Sequence, residues 1–143
     1  ESMGSVVTYS TCAFAIAAVN GASMRQRIEM HDSRVTAIQI SGADMIIYFR
    51  FMIVDQKDLF GFDFADLPAR QGRIFLKNAE FKTAPTVDDV YDGKISIGDL
   101  TYCNGMPLDL TLRQPCYLHL TQPSGVHFIF ADGLQVKVDE NGK

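Results

Sequence analysis

The fold class of this chain is decided between Arg27 and Val54, where the sequence reads RIEMHDSRVTAIQISGADMIIYFRFMIV. In the second half of this stretch, apolar residues occupy every other position from Met45 to Ile53. That spacing is typical of a β-strand with one face in a core. The step Ser41-Gly42-Ala43-Asp44 separates it from a first half that is also β-branched. We therefore expect a β-hairpin with a polar His31-Asp32 pair at its entry.

Short apolar runs separated by Gly, Pro, Asn or Asp continue to the end of the chain. They are Leu59–Phe64, Arg73–Leu76, Glu80–Phe81, Lys94–Ile97, Leu108–Leu112, Cys116–Leu120, Val126–Phe130 and Leu134–Val138. This rhythm predicts a mainly β protein, an antiparallel β-sandwich or barrel-like meander of roughly seven to ten strands with at most one or two short helices. Because no linker or repeat divides the chain, we expect residues 1–143 to form a single domain.

The last two runs are joined by Ala131-Asp132-Gly133-Leu134, which contains a strong hairpin dipeptide. A plain two-residue turn would place Phe128 opposite Lys137. A one-residue bulge instead pairs Phe128 with Val138, which keeps apolar residues on one face. We therefore expect a bulged hairpin here.

The first part of the chain carries no charge from Ser2 to Ser23. Three interpretations stay open: a short helix from about Ser10 to Val19, which we favour, a strand continuing Val6–Tyr9, or sequence from upstream of a native start at Met24. The segment lacks the cationic start of a signal peptide and is short for a membrane span, so we expect no membrane association. An apolar helix on a small domain would bury itself against a second copy, which predicts a homodimer.

The composition is that of a globular protein, with 47% hydrophobic and 21% charged residues. A net charge of -4 and 13 scattered basic residues argue against a nucleic-acid partner. The three cysteines Cys12, Cys103 and Cys116 lie far apart, which favours a reducing, cytoplasmic location, although a Cys103–Cys116 bridge remains open.

The sequence contains few motifs that indicate catalysis or the binding of a metal or cofactor. The run Asp88–Asp99 follows part of a calcium-loop register but lacks several ligands, so we interpret it as an acidic turn with its bend at Asp92-Gly93. No serine elbow, phosphate loop or dinucleotide fingerprint is present. We therefore expect no catalytic residues, no bound metal and no cofactor.

Five residues are candidate ligand-binding positions. The imidazole and carboxylate of His31 and Asp32 could act together if the backbone turns there, although a local bond from Asp32 or Ser33 to the backbone is the simpler interpretation. The histidines at 119 and 127 would share a sheet face only if the loop between them had an odd number of residues. The complete set is His31, Asp32, Tyr48, His119 and His127.

The run from His31 to Ile38, followed by Ile40, the Gly42 turn and Met45–Phe49, resembles the opening of small β-rich bacterial proteins of uncharacterised function. Some of those proteins travel on mobile, integron-type gene cassettes, and some look like immunity partners of toxins. The resemblance covers about 30 residues and transfers no catalytic residue.

Two functions follow as hypotheses. The first is a non-enzymatic protein-binding module that uses a sheet face, an edge strand or an acidic loop, with aspartates such as Asp88, Asp89 and Asp92 suited to a basic partner. The second is a small-molecule-binding protein or enzyme with an apolar, aromatic-lined pocket. A pocket of at least about 300 Å³ that contains a histidine would favour the second, and a flat acidic surface the first.

Overall fold

The computed structural model describes residues 26–58 and 63–140, with the backbone alone at 56–58 and 63–67. The described residues form strands joined by turns and contain no helix. The strands are β1 (Gln26–Ser41), β2 (Asp44–Asp58), β3 (Asp63–Lys77), β4 (Glu80–Phe81), β5 (Asp92–Ile97), β6 (Leu100–Cys103), β7 (Gly105–Met106), β8 (Asp109–Leu112), β9 (Cys116–Gln122), β10 (Gly125–Ala131) and β11 (Gly133–Val138). The mainly β prediction is confirmed. The described strands exceed the expected seven to ten because β4 and β7 are only two residues long.

Two antiparallel sheets face each other around one core. The six-stranded sheet has the order β7-β1-β2-β3-β11-β8, and the five-stranded sheet has the order β4-β10-β9-β5-β6. Their inward rows form one cluster of buried side chains, to which β2 and β9 contribute from opposite sides. The arrangement is that of a β-sandwich.

The predicted hairpin is confirmed. A two-residue turn joins Ser41 to Asp44, and Gly42 takes the left-handed φ of 63° that this turn requires. In β2 the alternate residues Met45, Ile47, Phe49, Phe51 and Ile53 are fully buried. The rings of Phe49 and Phe51 stack with centroids 4.7 Å apart.

The entry to the hairpin is a bulge in β1. The register with β2 shifts between Glu29 and Arg34, and Asp32 takes a φ of 80°, which is uncommon outside glycine. The Ser33 hydroxyl, which is buried, donates to the Glu29 carbonyl at 2.8 Å and accepts from the Met52 N–H at 2.9 Å. Ser33 therefore supplies the local side-chain bond that the sequence predicted, and it closes the bulge.

The acidic run does not bend at Asp92-Gly93 as predicted, because both residues lie in β5. Glycine is required at position 93 because the two sheets approach each other closely there. A Cβ atom at Gly93 would lie 2.8 Å from Cβ of Met30, on β1 of the facing sheet. Gly93 thus brings the two sheets together at this corner.

The predicted hairpin between the last two runs is wrong. Strand β10 pairs with β9 and β4, whereas β11 pairs with β3 and β8 in the other sheet. The Ala131–Gly133 step is a crossing between sheets. It is anchored where the Asp132 N–H donates to the Lys77 carbonyl and the Asp132 carboxylate accepts from Asn78 Nδ2, both at 2.8 Å.

Several expectations fall outside the described residues. They include the charge-free N-terminal segment with its helix and dimer interface, and most of the Leu59–Phe64 run. No helix in the part of the chain that the structure describes is long and apolar enough to cross a membrane.

The cysteines depart from expectation. Cys103 is disulfide-bonded, whereas Cys116 is a free, buried thiol. The Cys103–Cys116 bridge is therefore not formed. Because Cys103 is oxidised, the cysteine argument for a reducing cytoplasm loses its support, and the cytoplasmic location stays a prediction.

Replacing the buried Ser33 by alanine should destabilise the fold by about 1–3 kcal/mol, because it leaves the part-buried Glu29 carbonyl and Met52 N–H without their partner. The free energy of unfolding in urea measures this loss. Thr111→Ala, at an exposed position of β8, is the matched control and should stay within about 0.5 kcal/mol of wild type. Equal stability of the two variants would contradict the role given to Ser33.

Candidate functional site

An exposed row of large side chains covers the outer side of the five-stranded sheet. Along β9 and β10, Leu118, Leu120, Ile129 and Ala131 point into the core. The residues between them point outward and form what we call the aromatic face: Tyr117, His119, Val126, Phe128 and Phe130. Tyr117 is 51%, Val126 49% and Phe128 58% exposed.

The register of β9 and β10 sets these side chains in pairs. Phe130 lies opposite Tyr117, with ring centroids 5.1 Å apart in an edge-to-face arrangement. Phe128 lies opposite His119, with centroids 4.4 Å apart. Cross-strand aromatic pairs of this kind hold one another in position. The face is therefore a preformed apolar surface.

In β10 the large apolar residues face solvent, and the residues between them face the core, which is the reverse of what hydrophobicity predicts. The expected bulged hairpin would have placed Phe128 and Phe130 on one apolar face together with Val138 and Val136. The structure turns the two phenylalanines toward solvent and turns His127 and Ala131 inward. The two-residue turn Pro123-Ser124 sets this orientation, because it makes Leu120 the partner of His127.

Two concavities flank the aromatic face. The first, of about 550 Å³, lies on the β4 side and is lined by Glu80, Phe81, Lys82, Tyr117, Phe128 and Phe130. The second, of about 480 Å³, lies on the β5 side and is lined by Asp92, Lys94, Ser96, Thr101, Cys103, Asn104 and His119. The second satisfies the size and histidine conditions of the small-molecule hypothesis, but its walls are polar, whereas an aromatic lining was expected.

His119 stands where the aromatic and polar parts meet. It lies between Phe128 on β10 and Lys94 on β5. Burial of the half-exposed ring, reinforced by the nearby Lys94 ammonium, lowers the pKa of His119. Its Nε2 atom is buried and contacts no hydrogen-bond partner among the described residues. The ring therefore packs against Phe128 as part of the aromatic face.

His127 is a structural residue. Its ring is buried, with Nδ1 3.0 Å from the Thr83 hydroxyl and Nε2 2.9 Å from the Ser124 hydroxyl. It lies on the opposite side of the sheet from His119, since the connecting turn has an even number of residues. The two histidines therefore cannot share a ligand.

The His31-Asp32 pair is brought together by the bulge. His31 Nδ1 donates to the Tyr91 carbonyl at 2.8 Å, and Nε2 lies 3.6 Å from the Asp32 carboxylate. The Tyr91 carbonyl, followed by the Asp32 charge, raises the pKa of His31. Both side chains are largely exposed. They lie on β1, away from the aromatic face.

Tyr48 is separate from the other candidates. It lies on the outer side of the six-stranded sheet, where its hydroxyl donates to Gln39 Oε1 at 3.2 Å. The candidate residues therefore divide among several places, and only His119 belongs to the aromatic face. Tyr117, Val126, Phe128 and Phe130 were not among the candidate positions predicted from the sequence.

The acidic loop is partly neutralised. Arg34 lies 2.8 Å from the Asp89 carboxylate and 3.7 Å from that of Asp88. Asp92 accepts a hydrogen bond of 2.6 Å from Asn104 Nδ2. These carboxylates serve contacts within the fold, which makes the loop a weaker candidate than the aromatic face.

No family model, curated protein or solved structure matches the chain. No group of three or more His, Cys, Asp or Glu side chains within residues 26–58 and 63–140 is placed to hold a metal ion.

The two surface histidines should titrate on opposite sides of the ordinary histidine pKa of about 6.5. Protonation of folded His119 is opposed by burial and Lys94, so its contribution to stability is present above that pH and is lost as pH falls below it. The contribution of His31 is present below that pH and is lost as pH rises through its raised pKa. Titration of the imidazole C–H resonances by NMR measures both pKa values, and the His31→Gln and His119→Gln variants assign the resonances. A midpoint for His119 above that of His31 would contradict these environments.

Proposed function

We propose that this protein is a non-enzymatic binding module that engages a partner protein through the aromatic face. One observation carries the proposal: β10 turns its larger apolar residues outward, where Phe128 is 58% exposed, and buries His127 in their place. Exposing adjacent large apolar side chains reduces solubility, and contiguous patches of this kind mark interaction sites. Burial of these aromatic side chains against a partner protein explains why they point outward.

The surroundings of the patch support a protein as the partner. Charged side chains border it on both sides, with Glu80 and Lys82 next to β10 and Asp92 and Lys94 on β5. An aromatic centre inside a polar rim is the usual composition of a protein interface. Tyrosine is also enriched among the residues that dominate binding energy, and Tyr117 lies within the patch.

The proposal also covers the class of protein. We place the protein with bacterial immunity-like or cassette-borne adaptive proteins on the resemblance over residues 27–54. The aromatic face lies on β9 and β10, outside that stretch, so the binding surface and the resemblance support the proposal independently.

A second candidate is a small polar ligand in the concavity beside Lys94 and His119. The buried, unpartnered Nε2 of His119 at its wall favours this alternative. Most other polar groups there already bond to one another, as Asn104 does to Asp92. We therefore rank it below the protein partner.

A photoreactive benzoyl-phenylalanine at position 128 should cross-link to one discrete polypeptide in extracts of the cells that make this protein, because position 128 lies in the centre of the proposed interface. The same residue at Val87, which is 55% exposed on a loop, is the matched control and should give no such product. Mass spectrometry of the adducts identifies the partner.

Phe128→Ser should abolish the complex and leave the melting temperature close to that of wild type, because the side chain is mainly exposed. Cross-links of equal yield and identity from positions 128 and 87 would reject the aromatic face as the binding surface. Binding that survives Phe128→Ser but is lost in Lys94→Ala would favour the polar concavity instead.

A further inference from the structure

The outer half of β1 is a sheet edge with no neighbour among the described strands on the side opposite β2. Strand β7 pairs with β1 only at Ile28 and Glu29, and the backbone from Met30 to Val35 bonds to Asn104, Val90 and Asp88. From Thr36 to Ser41, no described strand covers the side of β1 opposite β2. Unpaired edges of this length are sites where another strand can add.

This edge lacks the features that usually protect such edges. No charged residue and no proline occur from Val35 to Ala43, and Ile40 is 57% exposed. The other edge strands are short or carry charge: β4 contains Glu80, β8 contains Asp109, β7 has two residues, and β6 follows Asp99 and carries the disulfide-bonded Cys103. Charges, proline and shortness are the devices that prevent strand addition. Two further segments lack a described neighbour on one side: Asp63–Gln71 of β3, which contains charged residues and Pro68, and Gly125–Phe128 of β10, which is uncharged but only four residues long. Thr36–Ser41 is the longest uncharged edge among the described residues.

The turn geometry identifies the free backbone groups. In a two-residue hairpin the residues that flank the turn exchange hydrogen bonds, so Ser41 points its N–H and C=O toward β2. Alternation then directs Gln39 toward β2 as well. The N–H and C=O groups of Ile38 and Ile40 point away from the sheet, toward the open edge.

We propose that this edge pairs with the same edge of a second copy, antiparallel, about a two-fold axis through Gln39. Each Ile38 then exchanges both backbone hydrogen bonds with Ile40 of the second copy, and Gln39 lies opposite Gln39 of that copy. The two six-stranded sheets become one continuous sheet. This interface is separate from the aromatic face and does not depend on the proposed function.

The side chains are self-complementary in this register. Ile38 and Ile40 lie opposite Ile47 and Met45, so they are on the inward side of the sheet. Across the two-fold axis, Ile38 faces Ile40 of the second copy, and apolar surface that is exposed in one chain becomes covered. The charge-free sequence also avoids placing like charges opposite one another, which would oppose self-pairing. A second copy therefore satisfies both the backbone groups and the side chains of this edge.

Cysteine cross-linking tests the register. In an antiparallel non-hydrogen-bonded pair the Cα atoms are about 4.5 Å apart, which is within the range of about 4.4–6.8 Å for a disulfide. Gln39→Cys should therefore form a disulfide-linked dimer under mild oxidation of the full-length chain. Ala37→Cys is the matched control: it lies on the same strand face, but it would be opposite Ser41 of the second copy and about 13 Å from its own equivalent. Equal cross-linking of the two variants, or none from Gln39→Cys, would overturn the proposed register.

Molar mass in solution tests the interface itself. Light scattering at micromolar concentration should give about twice the 15.9 kDa of one chain. Ile40→Lys, which adds a charge at an exposed edge position, should reduce the mass to that of a monomer, whereas Val87→Lys on an exposed loop should remain dimeric.

The same measurement separates this interface from the N-terminal one predicted from the sequence. Phe14→Asp should leave the dimer intact if Thr36–Ser41 forms it. A monomeric wild-type chain would overturn the edge pairing. A dimer that dissociates with Phe14→Asp but persists with Ile40→Lys would overturn it as well.

Discussion

The fold depends on the burial of the inward row of β2 between its two neighbours and the facing sheet. Phe49 and Phe51 stack within this row and are fully buried, and burying a side chain of this size contributes about 1.5–3 kcal/mol. Strand β2 pairs along its length with β1 and β3, so the position of both follows from the alternation in one strand. The facing sheet is then held where it can cover this row.

The bulge in β1 adapts that regular hairpin to the facing sheet. The left-handed residue Asp32 redirects the strand, and Ser33 replaces the bonds that the register shift removes. The redirected backbone bonds to Val90 and Asp88, which precede β5. Beyond the bulge, Val35 is still buried and Ile38 packs against the core, whereas Ile40, near the end of the strand, is exposed although its partner Met45 is buried.

Alternation of apolar residues does not predict which side chains of the candidate site are exposed. In β10 both sides contain apolar residues, with Val126, Phe128 and Phe130 on one side and Ile129 and Ala131 on the other. Period-two alternation separates the sides but does not say which one faces the core, and side-chain size favoured the wrong one. The length of the turn before β10 decided the question, together with Thr83 and Ser124, which satisfy the buried His127. His119 was recognised as a candidate, but its aromatic neighbour Phe128 was not.

The sequence by itself determined the strand-rich class, the hairpin at Gly42 and the buried row from Met45 to Ile53, because these depend on residues close together in the chain. Only the tertiary structure decided which sheet each strand joins. Ala131–Gly133 has a typical hairpin sequence, yet it crosses between sheets, since β11 finds its partners in β3 and β8. The exposure of the aromatic face was decided in the same way. Both outcomes depend on contacts between residues far apart in the chain, and local alternation carries no information about those contacts.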